Sequence, residues 1–257
     1  TYVNRWESVV FSSYDNRGNY TRADFTNANL TSADFSYANL EKAKFTNANL
    51  TSVGFFDAYL GNVDFTNATI EDVAFYDSCI TEDQLKTTKS YREKNLSGIA
   101  FVSCDLSGWD FSGQNLTSSC FSHTGLTEAK FTNANLTSVR FDYLGLTDVD
   151  FTNANLTSAI FRNINKLTDV NFTNATVKDS DFSGTVTKGF TEEQLKSTKS
   201  YKEKDLSGIN LSSNDLSGWD FNGQNLTSAS FNDSSLTNAN FTGATVKGAG
   251  FTGTVAK

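Results

Sequence analysis

The sequence predicts an all-β fold, a solenoid built from very short sides, and three observations predict it. First, a large apolar residue stands at every fifth position: Phe25, Leu30, Phe35, Leu40, Phe45, Leu50 and onward without a break to Ile80. Second, a small residue stands two places before each of these centres, as Ala23, Ala28, Ala33 and Ala38 do. Third, the string FTNANLTS occupies residues 25–32 and returns at 45–52, 131–138 and 151–158. A helix repeats every 3.6 residues and a strand every two, so neither explains a strict five. A coil does, if each five-residue unit forms one side of a polygon and turns its two apolar positions to the axis.

Residues 1–20 precede the beat and hold the apolar run WESVVF. This N-terminal segment either caps its own first coil or pairs with another molecule. Residues 21–80 form the first block of coils. Residues 81–95 break the rhythm, 96–190 resume it with a one-residue slip after Phe161, 191–205 break it again, and 206–257 complete it. The two breaks are near copies, TEDQLKTTKSYREK and TEEQLKSTKSYKEK. Thr81 with Gln84, and Thr191 with Gln194, have the spacing of helix-starting capping boxes. Short helices are expected at about 82–88 and 192–198, each followed by an irregular return. After each break comes LSGWDF, which puts Trp109 and Trp219 where a small residue is usual. An indole overfills that position, so the coil is expected to deform there, with each Trp packed against its neighbouring insertion.

Unit after unit, ADFTN, ANLTS, ADFSY and ANLEK, the chain resembles the pentapeptide-repeat family, whose consensus is Ala-(Asp/Asn)-Leu-x-x. The resemblance implies a right-handed quadrilateral parallel β-helix, about four units per coil, running as one continuous solenoid with two short helical insertions. At roughly 4.8 Å per coil, about ten coils make a rod on the order of 48 Å long. Phe and Leu or Ile alternate, so Phe recurs every ten residues and falls on two opposite sides of the square. Stacked aromatic ladders are expected, with the Ala positions giving them room.

Composition narrows the function. The net charge of −8 disfavours wrapping nucleic-acid phosphate. No apolar run is long enough for a membrane-spanning helix. The sequence starts at Thr1 rather than Met, which fits a processed, exported chain. Cys79, Cys104 and Cys120 show no metal or redox spacing and read as free, partly buried thiols. His123 is the one histidine, so multi-histidine metal sites are excluded and a Ser-His-Asp arrangement has no support. Asp24, Asp34, Asp64, Asp110 and Asp150 each precede a centre, where a carboxylate bonds turn backbone. No catalytic constellation and no cofactor motif emerges, and the chain reads as non-enzymatic.

Sequons recur because ANLTS contains one; Asn29, Asn49, Asn135 and Asn155 are the candidate glycan acceptors in an exported chain. At the far end, FTGATVKGAGFTGTVAK keeps the beat and then stops without a capping helix. An uncovered coil presents unpaired backbone and bare core. The candidate polymerisation interface therefore joins Trp6, Val9, Val10 and Phe11 of one molecule to Phe241, Val246, Phe251 and Val255 of the next. The expected function is a structural subunit of an extracellular fibre or surface assembly, growing head to tail with itself as partner. The alternative is a protein-binding module, since the resemblance implies DNA-mimic inhibitors of type II topoisomerases; scattered Lys and Arg depart from a continuous acidic stripe. A third reading is ice binding by the Thr26, Thr46 and Thr66 column.

Overall fold

A computed structural model describes residues 9–11 and 18–255. Five residues make one side because the same local bonds repeat in each. The Asp24 carboxylate accepts the Thr26 N–H at 3.0 Å. The Ala28 N–H donates back to the Phe25 carbonyl at 3.0 Å, closing the turn. Asn27, at φ 60°, takes the left-handed conformation that sends the chain round a corner, and Ser32, Tyr37 and Lys42 do the same at φ 57–60°. Such a conformation costs on the order of 1 kcal/mol or more at a non-glycine residue. Part of that is offset between coils, where the Asn27 N–H donates to Thr46 O at 2.9 Å and the Ser32 N–H to Thr51 O at 2.9 Å.

The chain divides into two compact units, Thr1–Leu106 with Gln114–Thr124, and Ser107–Gly113 with Gly125–Lys257. The division falls between the insertions, so each insertion lies inside a unit.

In the first unit, successive coils pair in parallel twenty residues apart, as Asn29 with Asn49, Asp34 with Gly54 and Asn39 with Tyr59. Four longer stretches qualify as strands: β1 (Gly54–Phe56), β2 (Ala74–Tyr76), β3 (Ala100–Val102) and β4 (Cys120–Ser122). They form one parallel sheet in chain order. Between β2 and β3 the register widens, Ala74 pairing with Ala100, because the first insertion intervenes. Its helix α1 (Glu82–Thr87) starts on a complete Thr81/Gln84 capping box. Fully buried Leu85 keeps the core filled through the insertion.

The return is helical, which corrects the irregular return expected from sequence. The Thr88 side chain accepts the Tyr91 N–H and starts α2 (Lys89–Arg92).

The second unit repeats the scheme. Its strands β5 (Gly145–Thr147) and β6 (Lys166–Thr168) pair in parallel. The one-residue slip appears as Asp150 pairing with Asn171. A 3-10 turn (Val186–Lys188) leads into α3 (Glu192–Ser197) and α4 (Lys199–Lys202), capped by Thr191/Gln194 and Thr198.

Phe side chains fill both cores as ladders. Phe35, Phe55 and Phe75 stack at 5.7 and 5.5 Å, and Phe25, Phe45 and Phe65 at 5.1 and 5.7 Å, all within 14° of parallel. Facing ladders meet edge to face, as Phe35 and Phe45 do at 5.5 Å and 81°. Both geometries are those the ring quadrupole favours. Phe131, Phe151 and Phe172 continue the pattern in the second unit, alongside Phe141, Phe161 and Phe182.

Two further expectations are corrected. Cys79 and Cys104 form a disulfide with Cα atoms 5.6 Å apart, and only Cys120 is free. The insertion widens the offset between these coils to twenty-six residues, as Ala74 pairs with Ala100, and this brings Cys79 beside Cys104. The coil also keeps its backbone at the tryptophans: Trp219 N donates to Leu216 O at 3.1 Å, and the Trp219 and Trp109 carbonyls accept from Asn240 and Lys130 at 2.9 Å. The Trp219 indole lies beside Phe190, 6.1 Å away, just before α3.

Candidate functional site

Among the described residues, the coil at residues 241–255 of the second unit is the least covered. One coil earlier, Phe221, Leu226 and Phe231 are completely buried. Phe241 and Phe251 continue their ladders, stacking on Phe221 and Phe231 at 5.1 and 5.2 Å, yet both are only half-buried. Val246 and Val255 are 42 % and 53 % exposed.

The backbone shows the same incompleteness. In the preceding coil the N–H groups of Phe221, Gly223, Leu226, Ser228 and Phe231 donate to carbonyls of the coil that follows, at 2.7–2.9 Å. The equivalent N–H groups of Phe241, Gly243, Val246, Gly248 and Phe251 have no such acceptor among the described residues. Lys247 is the one charged residue between Asn240 and Val255. Edges are normally blunted by charge, proline or a cover; this one has little of either of the first two.

The other predicted interface residues lie elsewhere. Trp6 falls outside the described residues. Val10 pairs in parallel with Asp34, and the Phe11 N–H donates to Asp34 O at 2.7 Å. Phe11 stacks on Phe35 at 4.4 Å, so it extends the first unit's own ladder. Val9 is half-buried there and Val10 is 65 % exposed. Of the two sequence alternatives for this segment, residues 9–11 adopt the self-covering one.

The candidate glycan acceptors are tied into ladders. Asn49 Nδ2 donates to Thr31 Oγ1 at 3.1 Å, and Asn29 Oδ1 accepts from Thr31 Oγ1 at 2.7 Å. Asn155 Nδ2 donates to Thr137 Oγ1 at 3.0 Å and to Asn135 Oδ1 at 3.4 Å. In the Thr column, Thr46 Oγ1 donates to Asp64 Oδ2 at 2.9 Å.

The carboxylates that precede centres bond the turn backbone, and several are acidified by it. The Thr66 hydroxyl and N–H hold Asp64 below its usual range. The Ser217 hydroxyl and N–H do the same for Asp215.

Trp109 and Trp219 are nearly buried. Trp219 lines a cleft with Phe190, Thr191 and Glu192, and Glu192 accepts the Asp220 N–H at 2.6 Å. His123 sits at a corner, φ 54°. Among the described residues, no three His, Cys, Asp or Glu side chains are placed to hold a metal, and no helix is long and apolar enough to cross a membrane.

Sequence reasoning missed an exposed aromatic strip in the first unit. Phe56 and Tyr76, stacked coil on coil, are 41 % and 37 % exposed. The available signal was the loss of Asp or Asn at Gly54 and Ala74, one place before a buried Phe.

A family model described as pentapeptide repeats (8 copies) matches residues 21–51 and 205–243, and one described as a pentapeptide repeat region matches 94–166. No relative is found among curated proteins. Among solved structures, the chain is similar to HetL, a pentapeptide repeat protein involved in heterocyst differentiation regulation from the cyanobacterium Nostoc sp. strain PCC 7120. The identity is 22 %, over 99 % of this chain and 92 % of that one, with a TM-score of 0.32. It is also similar to a trypsin-treated variant of QnrB1, a plasmid-mediated fluoroquinolone resistance protein, at 14 % identity over 99 % and 84 % of the two chains, TM-score 0.24. With five-residue sides stacked coil on coil, and family matches that together span more than half its length, the chain belongs to the pentapeptide-repeat family.

Proposed function

We propose that the chain is a non-enzymatic structural subunit that associates with further copies of itself through the uncovered last coil, building an extracellular fibre or surface assembly. The observation that carries this reading is the last coil itself. Its ladder residues Phe241, Val246, Phe251 and Val255 are partly bare, and among the described residues its N–H groups lack the carbonyl acceptors that the coil before it finds. The segment at residues 9–11 of a second molecule, where Val10 is 65 % exposed, offers an apolar side chain and strand carbonyls for parallel pairing. A contact between unlike ends does not close on itself, so it propagates. The Cys79–Cys104 disulfide supports an oxidising compartment and hence export.

Sedimentation velocity over a concentration series tests the reading. The wild-type chain should grow in mass with concentration. Val246→Lys and Val255→Lys, which place a charge on the bare coil, should remain monomeric with unchanged circular dichroism. A wild-type chain that stays monomeric at every concentration refutes it.

A further inference from the structure

The sheet formed by β1 to β3 does not follow the surface rule of the other sides. The residue before the buried Phe is Gly54, Ala74 or Ala100, where Asp or Asn is usual. The residue after it is Phe56, Tyr76 or Val102, where Thr or Ser is usual. Without the Asx–Thr bonding pair these sides run as true strands, and their outer face is apolar. Phe56 is 41 % and Tyr76 37 % exposed. The Tyr37 and Phe56 rings meet edge-on at 5.3 Å, and Phe56 and Tyr76 lie 6.4 Å apart. Three successive coils thus present one aromatic strip on their outside. Single exposed apolar residues need no explanation, but neighbouring exposed aromatic rings on successive coils offer a face on which a partner can pack.

Charge says what fits it. From Phe45 to Leu85 the chain carries seven Asp or Glu residues and no Lys or Arg. Glu71 and Asp72 lie at the corner that leads into β2, and Asp77 at the corner that leaves it, with Asp72 and Asp77 at φ 55° and 49°. Acidic residues therefore occupy both corners that bound β2, with Tyr76 between them in sequence. An aromatic face rimmed by carboxylates attracts a cation twice, through the ring quadrupole and through the rim. It repels phosphate. It also disfavours a second copy of the same negative face, in a chain of net charge −8.

We propose that this face docks an extended segment of a partner protein carrying Arg or Lys, whose aliphatic stem and cation lie over Phe56 and Tyr76 while the charge reaches the Glu71, Asp72 and Asp77 carboxylates. This face is separate from the last coil, and the proposal does not depend on end-on assembly.

The probe is a fluorescein-labelled dodecapeptide of alternating Arg and Gly, with a Glu–Gly peptide as control, read by fluorescence anisotropy. One variant is the double substitution Phe56→Ser with Tyr76→Ser, which places at these positions the residue that already stands at Ser36 and Ser122 on the same side of the coil. The other is Glu71→Gln with Asp77→Asn; Asn already occupies left-handed corners such as Asn67. The wild-type chain should bind the Arg–Gly peptide and not the Glu–Gly peptide. The aromatic variant should lose about tenfold or more in affinity, as expected for two cation–π contacts. The rim variant should lose several-fold, and less at high salt.

Undiminished binding by the aromatic variant overturns the proposal, because charge alone then suffices. So does failure of the wild-type chain to bind. Binding of cellohexaose in place of the peptide overturns it in favour of a glycan. Self-association that vanishes only in the aromatic variant overturns it in favour of a second copy.

Discussion

Replacing Phe151 by Ala removes one rung from the middle of a ladder. The ring is completely buried, stacked between Phe131 at 5.3 Å and Phe172 at 5.4 Å, and met edge-on by Phe141 at 5.5 Å and Phe161 at 6.0 Å. Truncating a buried Phe costs roughly 3–5 kcal/mol, depending on how far the site can collapse. Collapse is resisted here. The backbone beside the ring is held coil to coil by Phe131 N–H to Asp150 O and Phe151 N–H to Asn171 O, each at 2.8 Å. The upper part of the range is therefore expected. Phe251→Ala is the internal control. That ring stacks on Phe231 alone, touches Phe241 edge-on at 5.9 Å, and is half exposed. Its truncation should cost about 1–2 kcal/mol. Urea unfolding followed by far-ultraviolet circular dichroism measures both. The packing argument fails if Phe151→Ala costs under about 1 kcal/mol, or if Phe251→Ala costs as much as Phe151→Ala.

Reducing the Cys79–Cys104 disulfide, which closes a 25-residue separation, should remove roughly 3 kcal/mol and lower the melting temperature; an unchanged melt in dithiothreitol contradicts this. Acid should destabilise the fold in a defined window. Hydrogen bonds from Thr66 and Ser217 hold Asp64 and Asp215 below the ordinary carboxylate value. Their contribution is complete above about pH 4 and disappears as pH falls through the lower folded values. A pH series of melts should be flat from neutrality to about pH 4 and drop below it; a rise on acidification opposes the assignment. Gly189→Ala should cost about 2 kcal/mol or more, since φ there is 114° and a Cβ meets the Leu167 carbonyl oxygen at 2.1 Å. Gly218→Ala, at φ 78° in open space, should cost about 1 kcal/mol, and parallel thermal melts separate the two.

Much of this architecture is legible because one five-residue rule governs it. The alternation of Phe with Leu or Ile foretells ladders such as Phe35–Phe55–Phe75, and Thr81 with Gln84 foretells α1. The errors share a cause: they sit where something outside the repeat sets the local geometry. Thr88, the cap of α2, carries no signal in the sequence, because it lies inside a break with no beat to compare against. The Cys79–Cys104 bond depends on the register shift the insertion introduces, which spacing in the sequence does not reveal. The tryptophans were expected to distort the coil, yet Trp219 keeps regular backbone bonds beside Phe190. The ladder positions of the coil at residues 241–255 were legible, since they keep the beat up to Phe251. The aromatic strip was not: it is written in an absence, the missing Asp or Asn at Gly54 and Ala74.

Hydrogen–deuterium exchange of the last-coil amides, measured at low and high protein concentration, tests end-on association most directly. The N–H groups of Phe241, Val246 and Phe251 should exchange freely in dilute solution and become protected as the chains associate, while those of Phe221 and Phe231 stay protected throughout. Amides of Phe241, Val246 and Phe251 that exchange equally fast at every concentration, or that are already protected in the monomer, contradict the account.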